Sequence, residues 1–273
     1  MATQQTQNGA AAHQDHDVAE SVEGAEIDVQ FQPKVDVRSG RVLGVEALHQ
    51  ATPVTDPVIE ISTRAAGDWW RSGLRLQLSV NLPSTGLSQA EWNLDSVVAR
   101  SLATAGLPGE ALQFEVPGGA LLTNPDLVGE RVERLVALGG ALSMDSFGTG
   151  HFSLRQLITL PFGELKIDRS LIRDLDDEEN RMLVRASIHL AHQLGLPVVA
   201  EGVDARDIWQ QLRSMGCDRA QGSLISQPLP ARDVPAWLAS WNQRARELSS
   251  TKRIKRRASP LAKRSKTPAE ASA

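Results

Sequence analysis

Short apolar runs alternate with longer amphipathic segments along most of the chain. The apolar runs predict strands at 42–48, 74–82, 111–116, 140–145, 163–168, 196–201 and 217–222. The segments at 88–106, 124–139, 176–195 and 205–216 have apolar residues spaced three and four apart, which predicts helices. Strands that alternate with helices in this way are typical of a parallel sheet with crossover helices, so the pattern predicts an α/β fold.

The helix predicted at 177–194 has the clearest periodicity. Its apolar residues cluster on one side, which we expect to face the core; they are Met182, Leu183, Ala186, Leu190 and Leu194. Asp176 and Asp177 lie near the start of this helix, where the helix dipole favours anions.

One carboxylate interrupts an apolar run. Glu46 lies within GVEALHQ (44–50), and a strand in this register places it near a core. An unpaired buried carboxylate is too costly to be retained without a partner. Glu46 therefore faces solvent at a strand edge, pairs with a base in the core, or binds a metal or a substrate.

Seven polar side chains lie at or near the carboxyl ends of the predicted strands. They are Glu46, Asn81, Glu115, Asp145, Lys166, Glu201 and Gln221. In a βα barrel these strand ends converge on one face, where catalytic groups gather. Carboxylates together with carboxamides offer oxygen ligands, which suit Mg²⁺ or Mn²⁺ better than zinc.

Several longer stretches occur in the order that is typical of one family. They are FQPKVDVRSGRVLGVEAL (31–48), LSVNLP (78–83), FEV (114–116), MDSFGTGHFSLRQL (144–157), LKIDRSLI (165–172), VVAEGVD (198–204) and DRAQGSLISQPLP (218–230). The chain therefore resembles the EAL domains, which in bacteria hydrolyse or bind the messenger cyclic di-GMP. This resemblance implies a modified TIM barrel of EAL type. In active members it also implies two metal ions that activate a water for in-line attack on a phosphate.

The resemblance also implies a role for each strand-end residue. The first ion would be held by Glu46, Asn81, Glu115 and Asp145, with Asp145 bridging to the second ion. Glu201 would complete the second ion site with Gln221, and Lys166 would orient the attacking water. Glu201 and Lys166 are thus the catalytic candidates, and the substrate-binding candidates are Gln32, Gln50 and Ser146.

The chain departs from the family pattern near the predicted chemistry. Ser146 stands where the family has a second Asp, and Gln50 stands where an arginine usually contacts the ligand phosphate. Pro117 and Gly118 replace a Thr and a Glu that steady a nearby loop. Only 35 positions separate Glu46 from Asn81, which leaves room for one helix instead of two and predicts a shortened first crossover.

Three functions remain open at this point. The first is a non-catalytic regulatory module that acts through a protein partner and binds cyclic di-GMP weakly or not at all. The second is a metal-dependent phosphodiesterase that opens cyclic di-GMP to the linear dinucleotide, slowly or at ordinary rates. The third is a receptor that binds the dinucleotide without hydrolysis. A homodimer is compatible with all three.

Composition adds a location and an uneven charge distribution. An apolar fraction of 41%, without a long apolar run or a secretory signal, predicts a cytoplasmic protein, and the single cysteine excludes an intramolecular disulfide. Of the net charge of −4, the segment from Thr251 onward carries +7 and the remainder carries −11. We expect a disordered segment at 1–24, an EAL-like domain at 25–245 and a disordered basic tail at 246–273. This tail would contact nucleic acid or another anionic surface.

Overall fold

A computed structural model of the chain describes residues 27–49, 56–84, 87, 93–120, 125–149 and 154–249. The predictions for the segment at 1–24, for the tail beyond Ser249 and for Gln50 therefore lie outside the described residues.

Eight strands close into a barrel. They are β1 (Val29–Asp36), β2 (Val42–His49), β3 (Gln77–Asn81), β4 (Leu112–Pro117), β5 (Ala141–Phe147), β6 (Phe162–Ile167), β7 (Val198–Ala200) and β8 (Arg219–Ala220). Strands β2 to β8 run parallel in chain order, and β1 closes the barrel by pairing antiparallel with both β2 and β8. A short strand β9 (Leu229–Pro230) pairs with the start of β1. The predicted α/β barrel is confirmed.

Helices follow most of the strands. They are α1 (Asp56–Arg71), α2 (Leu94–Ala105), α3 (Pro125–Ala137), α4 (Leu154–Thr159), α5 (Arg169–Arg173), α6 (Glu178–Gln193), α7 (Arg206–Met215) and α8 (Val234–Ser249). Between β2 and β3, the part of the chain that the structure describes contains one helix, α1. This agrees with the predicted short first crossover.

The predicted core face of α6 is wrong. Its helical start is as expected, because the side chain of Asp177 accepts a hydrogen bond from the backbone N–H of Asn180 at 2.9 Å. However, Met182 is 62% exposed, whereas the buried side of the helix carries Val184, Ser187, Ile188 and Ala191.

Ser187 explains why the periodicity was misleading. Its hydroxyl donates to the carbonyl of Leu183 at 2.8 Å, so its polar atom is satisfied within the helix. A serine paired in this way can be buried at little cost, although a pattern of apolar positions counts it as polar. The core face is therefore displaced around the helix from the position that the larger apolar residues indicate.

Candidate functional site

The seven strand-end residues meet at the carboxyl face of the barrel. The parallel register places Asn81 of β3 opposite Glu115 of β4, and Pro117 opposite Asp145 of β5. Lys166 of β6 lies at the centre of the group, and only 1% of its side chain is exposed. The barrel closure, and not proximity along the chain, brings these residues together.

The ammonium group of Lys166 contacts four carboxylates. Its Nζ lies 3.2 Å from Glu46 Oε2 and 3.6 Å from Asp145 Oδ1. It also forms ion pairs with Glu115 and Glu201. One cation thus serves four acidic groups, and the site has an excess of three negative charges when all four carboxylates are ionised.

Glu46 is buried and fully paired. Its Oε1 accepts a hydrogen bond from Asn81 Nδ2 at 2.6 Å, and its Oε2 accepts one from Gln221 Nε2 at 2.8 Å. With Lys166 as its third partner, Glu46 does not face solvent at a strand edge. This carboxylate therefore pairs with a base in the core, and it also belongs to a cluster of acidic groups that suits a metal.

Three of the carboxylates have the geometry of a cation site. Glu46, Glu115 and Glu201 each offer one oxygen, and these oxygens lie within 4.8 Å of one another. Two buried acceptors, Glu115 Oε1 and Gln221 Oε1, have no hydrogen-bond donor among the described residues. Buried acceptors without a donor carry a desolvation cost that a bound cation would remove. The residues therefore fit a hard divalent ion such as Mg²⁺ or Mn²⁺.

Burial and crowding separate the pKa values of the carboxylates. Burial raises the pKa of Glu115 well above its usual range, and the charge of Glu46 adds to this shift. Burial likewise raises the pKa of Glu201 to about 7. The pKa of Glu46 is lowered, because Lys166 and the hydrogen bonds from Asn81 and Gln221 outweigh the effect of burial.

The pKa of Lys166 completes this picture. Burial alone would lower it, but Glu115, Glu201 and the other carboxylates outweigh burial and raise the pKa well above the usual range. The lysine is therefore charged at neutral pH, and a bound cation would favour the ionised forms of Glu115 and Glu201, whose pKa values are raised.

Two of the three substrate-side candidates lie at the edge of this cluster. Gln32 on β1 accepts a hydrogen bond from Gln221 Nε2 at 3.0 Å and donates to the carbonyl of Ser226 at 3.0 Å. The hydroxyl of Ser146 donates to Asp145 Oδ2 at 3.1 Å. Ser146 has a φ of 56°, a conformation that no other non-glycine residue adopts in the described ranges. The third candidate, Gln50, falls outside those ranges.

A second buried polar group was not predicted from the sequence. Lys34 and Glu164 form an ion pair at 2.7 Å inside the barrel, and both side chains are fully buried. Arg219 also pairs with Glu164. A signal for these residues was present, because Lys34, Glu164 and Arg219 each lie two positions along the chain from a candidate site residue.

Comparison with known proteins identifies the family of the chain. The EAL domain family model matches residues 50–228, so the chain belongs to the EAL domain family. It is similar to the bifunctional diguanylate cyclase/cyclic di-GMP phosphodiesterase MucR of Pseudomonas aeruginosa. The identity is 30% over 247 residues, which are 82% of this chain and 36% of MucR. This chain spans about a third of the length of the first curated relatives that it matches.

Two solved structures have the same fold. The PaMucR phosphodiesterase in complex with c-di-GMP is 30% identical, with a TM-score of 0.71, over 76% of this chain and 94% of that chain. The EAL domain of Mycobacterium smegmatis DcpA is also 30% identical, with a TM-score of 0.73, over 80% of this chain and 98% of that chain. Within the described part of this chain, no helix has the length and apolar character needed to cross a membrane.

Proposed function

We propose that this domain is a metal-dependent phosphodiesterase that opens cyclic di-GMP to the linear dinucleotide, with slow turnover. The observation that carries the proposal is the convergence of four carboxylates on Lys166 together with the unpaired Oε1 of Glu115. The similarity to MucR, a phosphodiesterase whose solved structure contains c-di-GMP, supports the choice of substrate.

Charge balance supports the metal site. Burying four carboxylates together is costly, and the single ammonium of Lys166 offsets only one of the four charges when all four are ionised. Such a cluster would destabilise a domain that used the barrel only as a scaffold. A divalent cation removes most of the excess negative charge, so the arrangement suits a domain that functions with the ion bound.

The proposal assigns a role to each side chain of the site. Glu46, Asn81, Glu115 and Asp145 would hold one ion, and Glu201 with Gln221 would complete a second position. When bound, the ions would activate a water and neutralise the phosphate under attack. The ammonium of Lys166 can donate hydrogen bonds that orient the water.

The identity of residue 146 limits the rate in this proposal. Ser146 lies beside Asp145 and supplies a neutral hydroxyl where the family has a second aspartate. A neutral ligand lowers the affinity of a site for a hard cation, so we expect the second ion to bind weakly. Slow turnover follows from low occupancy of this position.

A second candidate function is a non-catalytic module that acts through a protein partner. Ser146 favours it, and so do four large apolar side chains that are exposed on α4 and α6: Leu154, Ile158, Met182 and Leu183. The partner would cover these side chains, and a second copy of the chain could do so in a homodimer. A receptor that binds cyclic di-GMP without cutting it is the intermediate case.

Three variants separate these functions. The full chain, Glu46→Ala and Ser146→Asp are each incubated with cyclic di-GMP and Mn²⁺ at near-equal concentrations, and the linear product is measured by chromatography. We expect slow product formation by the unmodified chain, none by Glu46→Ala, and a rate at least tenfold higher for Ser146→Asp. Aspartate tolerates the positive φ of residue 146 better than most residues, so this variant should fold.

The other outcomes would overturn the enzymatic proposal in different ways. Product from Ser146→Asp alone would mean that the natural chain is non-catalytic because of this one residue. No product from any variant would point to a binding module. A calorimetric titration with cyclic di-GMP would then separate a receptor, which releases or absorbs heat, from a partner-binding module, which does not.

The location and the tail belong to the same proposal. A phosphodiesterase for a messenger nucleotide would act in the cytoplasm, and the basic segment from Thr251 onward would contact nucleic acid or an anionic surface. Deleting residues 251–273 should then abolish any salt-sensitive DNA binding while leaving turnover unchanged. Equal DNA binding by the truncated chain would contradict the role of the tail.

A further inference from the structure

A second polar layer lies below the carboxylate site inside the barrel. Each of its members lies two residues along the chain from a residue of the site, and these members are Lys34, Ser79, Gln113, Ser143, Glu164 and Arg219. The group above them consists of Gln32 and the seven strand-end residues, which include the four carboxylates. Alternate residues of a strand point to the same face, and two residues span about 7 Å. We call these two groups the lower layer and the upper layer.

The lower layer is a connected network. Lys34 Nζ lies 2.7 Å from Glu164 Oε1 and donates to Gln113 Oε1 at 2.7 Å. It also donates to the hydroxyl of Ser79 at 3.2 Å. Ser143 donates to Glu164 Oε1 at 3.1 Å, and Arg219 pairs with the other oxygen of Glu164.

The charges of the two layers have opposite signs. Lys34, Glu164 and Arg219 together carry +1 when ionised, whereas the upper layer has an excess of three negative charges when its four carboxylates are ionised. The layers lie about 7 Å apart in an interior that screens charge poorly. At this distance the charges of the lower layer act on the upper one.

We propose that the lower layer sets the affinity of the upper carboxylates for divalent cations. Lys34 and Arg219 repel an incoming cation and keep its binding moderate, while Glu164 attracts the cation and offsets part of this repulsion. Lys34, Arg219 and Glu164 thus act on the bound cation through their charge, without contacting it. This inference rests on the metal site of the proposed function, but not on hydrolysis.

The proposal predicts opposite effects for the two partners of one ion pair. Lys34→Met removes a repelling charge and should strengthen cation binding, and Glu164→Gln removes an attracting charge and should weaken it. If the pair served only to hold the barrel together, either change would break the same 2.7 Å contact, so both would disturb the site in the same direction.

The test measures Mn²⁺ binding at pH 8 from the electron paramagnetic resonance signal of the free ion. It uses the full chain, Lys34→Met, Glu164→Gln and a control, Thr63→Ala. Thr63 is a buried residue of α1 that donates to the carbonyl of Ile59 at 2.8 Å, outside both layers. One unit charge about 7 Å from a divalent ion should change the Kd roughly sevenfold at an effective dielectric constant of 80, and more at lower values.

We expect the Kd for Mn²⁺ to fall at least threefold in Lys34→Met, to rise at least threefold in Glu164→Gln, and to stay unchanged in Thr63→Ala. Weaker binding in both layer variants would overturn the inference while leaving the metal site intact. A flat titration of the unmodified chain would refute the metal site of the proposed function, and the inference with it.

A folding defect would not block the test. Circular dichroism identifies a variant that has not folded, and Arg219→Met then replaces Lys34→Met, because the Arg219 side chain is 25% exposed and Glu164 keeps Lys34 as its partner. Tighter Mn²⁺ binding in either cation variant supports the inference, since loss of a structural contact would not strengthen the site. Unchanged or weaker binding overturns it.

Discussion

The two polar layers of the barrel are built from similar residues but are balanced in different ways. In the lower layer, both oxygens of Glu164 have cationic partners, and Lys34 has further acceptors in Gln113 and Ser79. In the upper layer, four carboxylates share one lysine, and Glu115 Oε1 has no donor among the described residues.

This difference separates a structural network from a binding site. A buried charge network contributes to a fold only when its members are satisfied, which is the condition of the lower layer. The upper layer retains unmatched negative charge at the open end of the barrel, where Asp145 and Glu201 are partly exposed. We therefore expect cations, and changes of pH above about 4.5, to alter the stability of the upper layer but not of the lower one.

The largest effect should come from removing the central cation of the upper layer. Lys166→Met leaves the carboxylates without their ammonium partner, and breaking a buried ion pair in this way costs about 3–5 kcal/mol. We expect this loss in the free energy of unfolding of the metal-free protein, measured by urea denaturation. Mg²⁺ should recover a large part of it, because the ion replaces the missing positive charge.

Lys34→Met is the matched comparison in the lower layer. Glu164 keeps Arg219 as a partner, and the ion would bind about 7 Å from the missing charge. Mg²⁺ should therefore return less stability to this variant than to Lys166→Met. If Mg²⁺ failed to stabilise Lys166→Met more than Lys34→Met, the distinction between the two layers would be lost.

The next effect is a pH dependence of the metal-free protein. Glu201 has a pKa of about 7 in the folded state, above the value of 4.5 for an unperturbed glutamate. Between these values the folded chain holds a proton that the unfolded chain has released, so stability falls as pH rises from 4.5 to 7. A shift of this size corresponds to about 3 kcal/mol.

Denaturation at a series of pH values would measure this loss, with Glu201→Gln as the control. The variant keeps a neutral side chain at every pH, so its free energy of unfolding should fall less between pH 4.5 and 7 than that of the unmodified chain. A decline of equal size in both proteins would mean that Glu201 does not titrate in this range. Glu46 and Glu164 have lowered pKa values, so their contribution is lost only as pH falls below about 4.5 and does not obscure the test.

Much of the fold and of the upper layer could be predicted from the sequence. Strand and helix periodicities differ, and polar residues at the ends of apolar runs are conspicuous, so Glu46, Asp145 and Glu201 can be identified from the sequence alone. The family resemblance then assigned them to one site. Their convergence on Lys166 required only that the barrel close in chain order.

Other features depend on contacts that periodicity does not encode. Strand β1 was not among the predicted strands, and its antiparallel direction follows from its pairing with β2 and β8. The lower layer could not be predicted because lysine and glutamate are usually exposed. Lys34 and Glu164 can be buried only because each neutralises the charge of the other. The core face of α6 was wrong because Ser187 satisfies its hydroxyl within the helix.

The smallest effect concerns single hydrogen bonds in the two layers. Ser143→Ala removes a hydroxyl that donates to Glu164 Oε1 at 3.1 Å, which should cost about 1 kcal/mol of unfolding free energy. Because Glu164 keeps Lys34 and Arg219, the cost should be the same with and without Mg²⁺.

Asn81→Ala is the matched variant in the upper layer. It removes the 2.6 Å donor to Glu46 and also a proposed metal ligand, so its cost in unfolding free energy should increase when Mg²⁺ is present. Urea denaturation of both variants at two Mg²⁺ concentrations decides the matter, since an equal response to Mg²⁺ would place Asn81 outside the metal site.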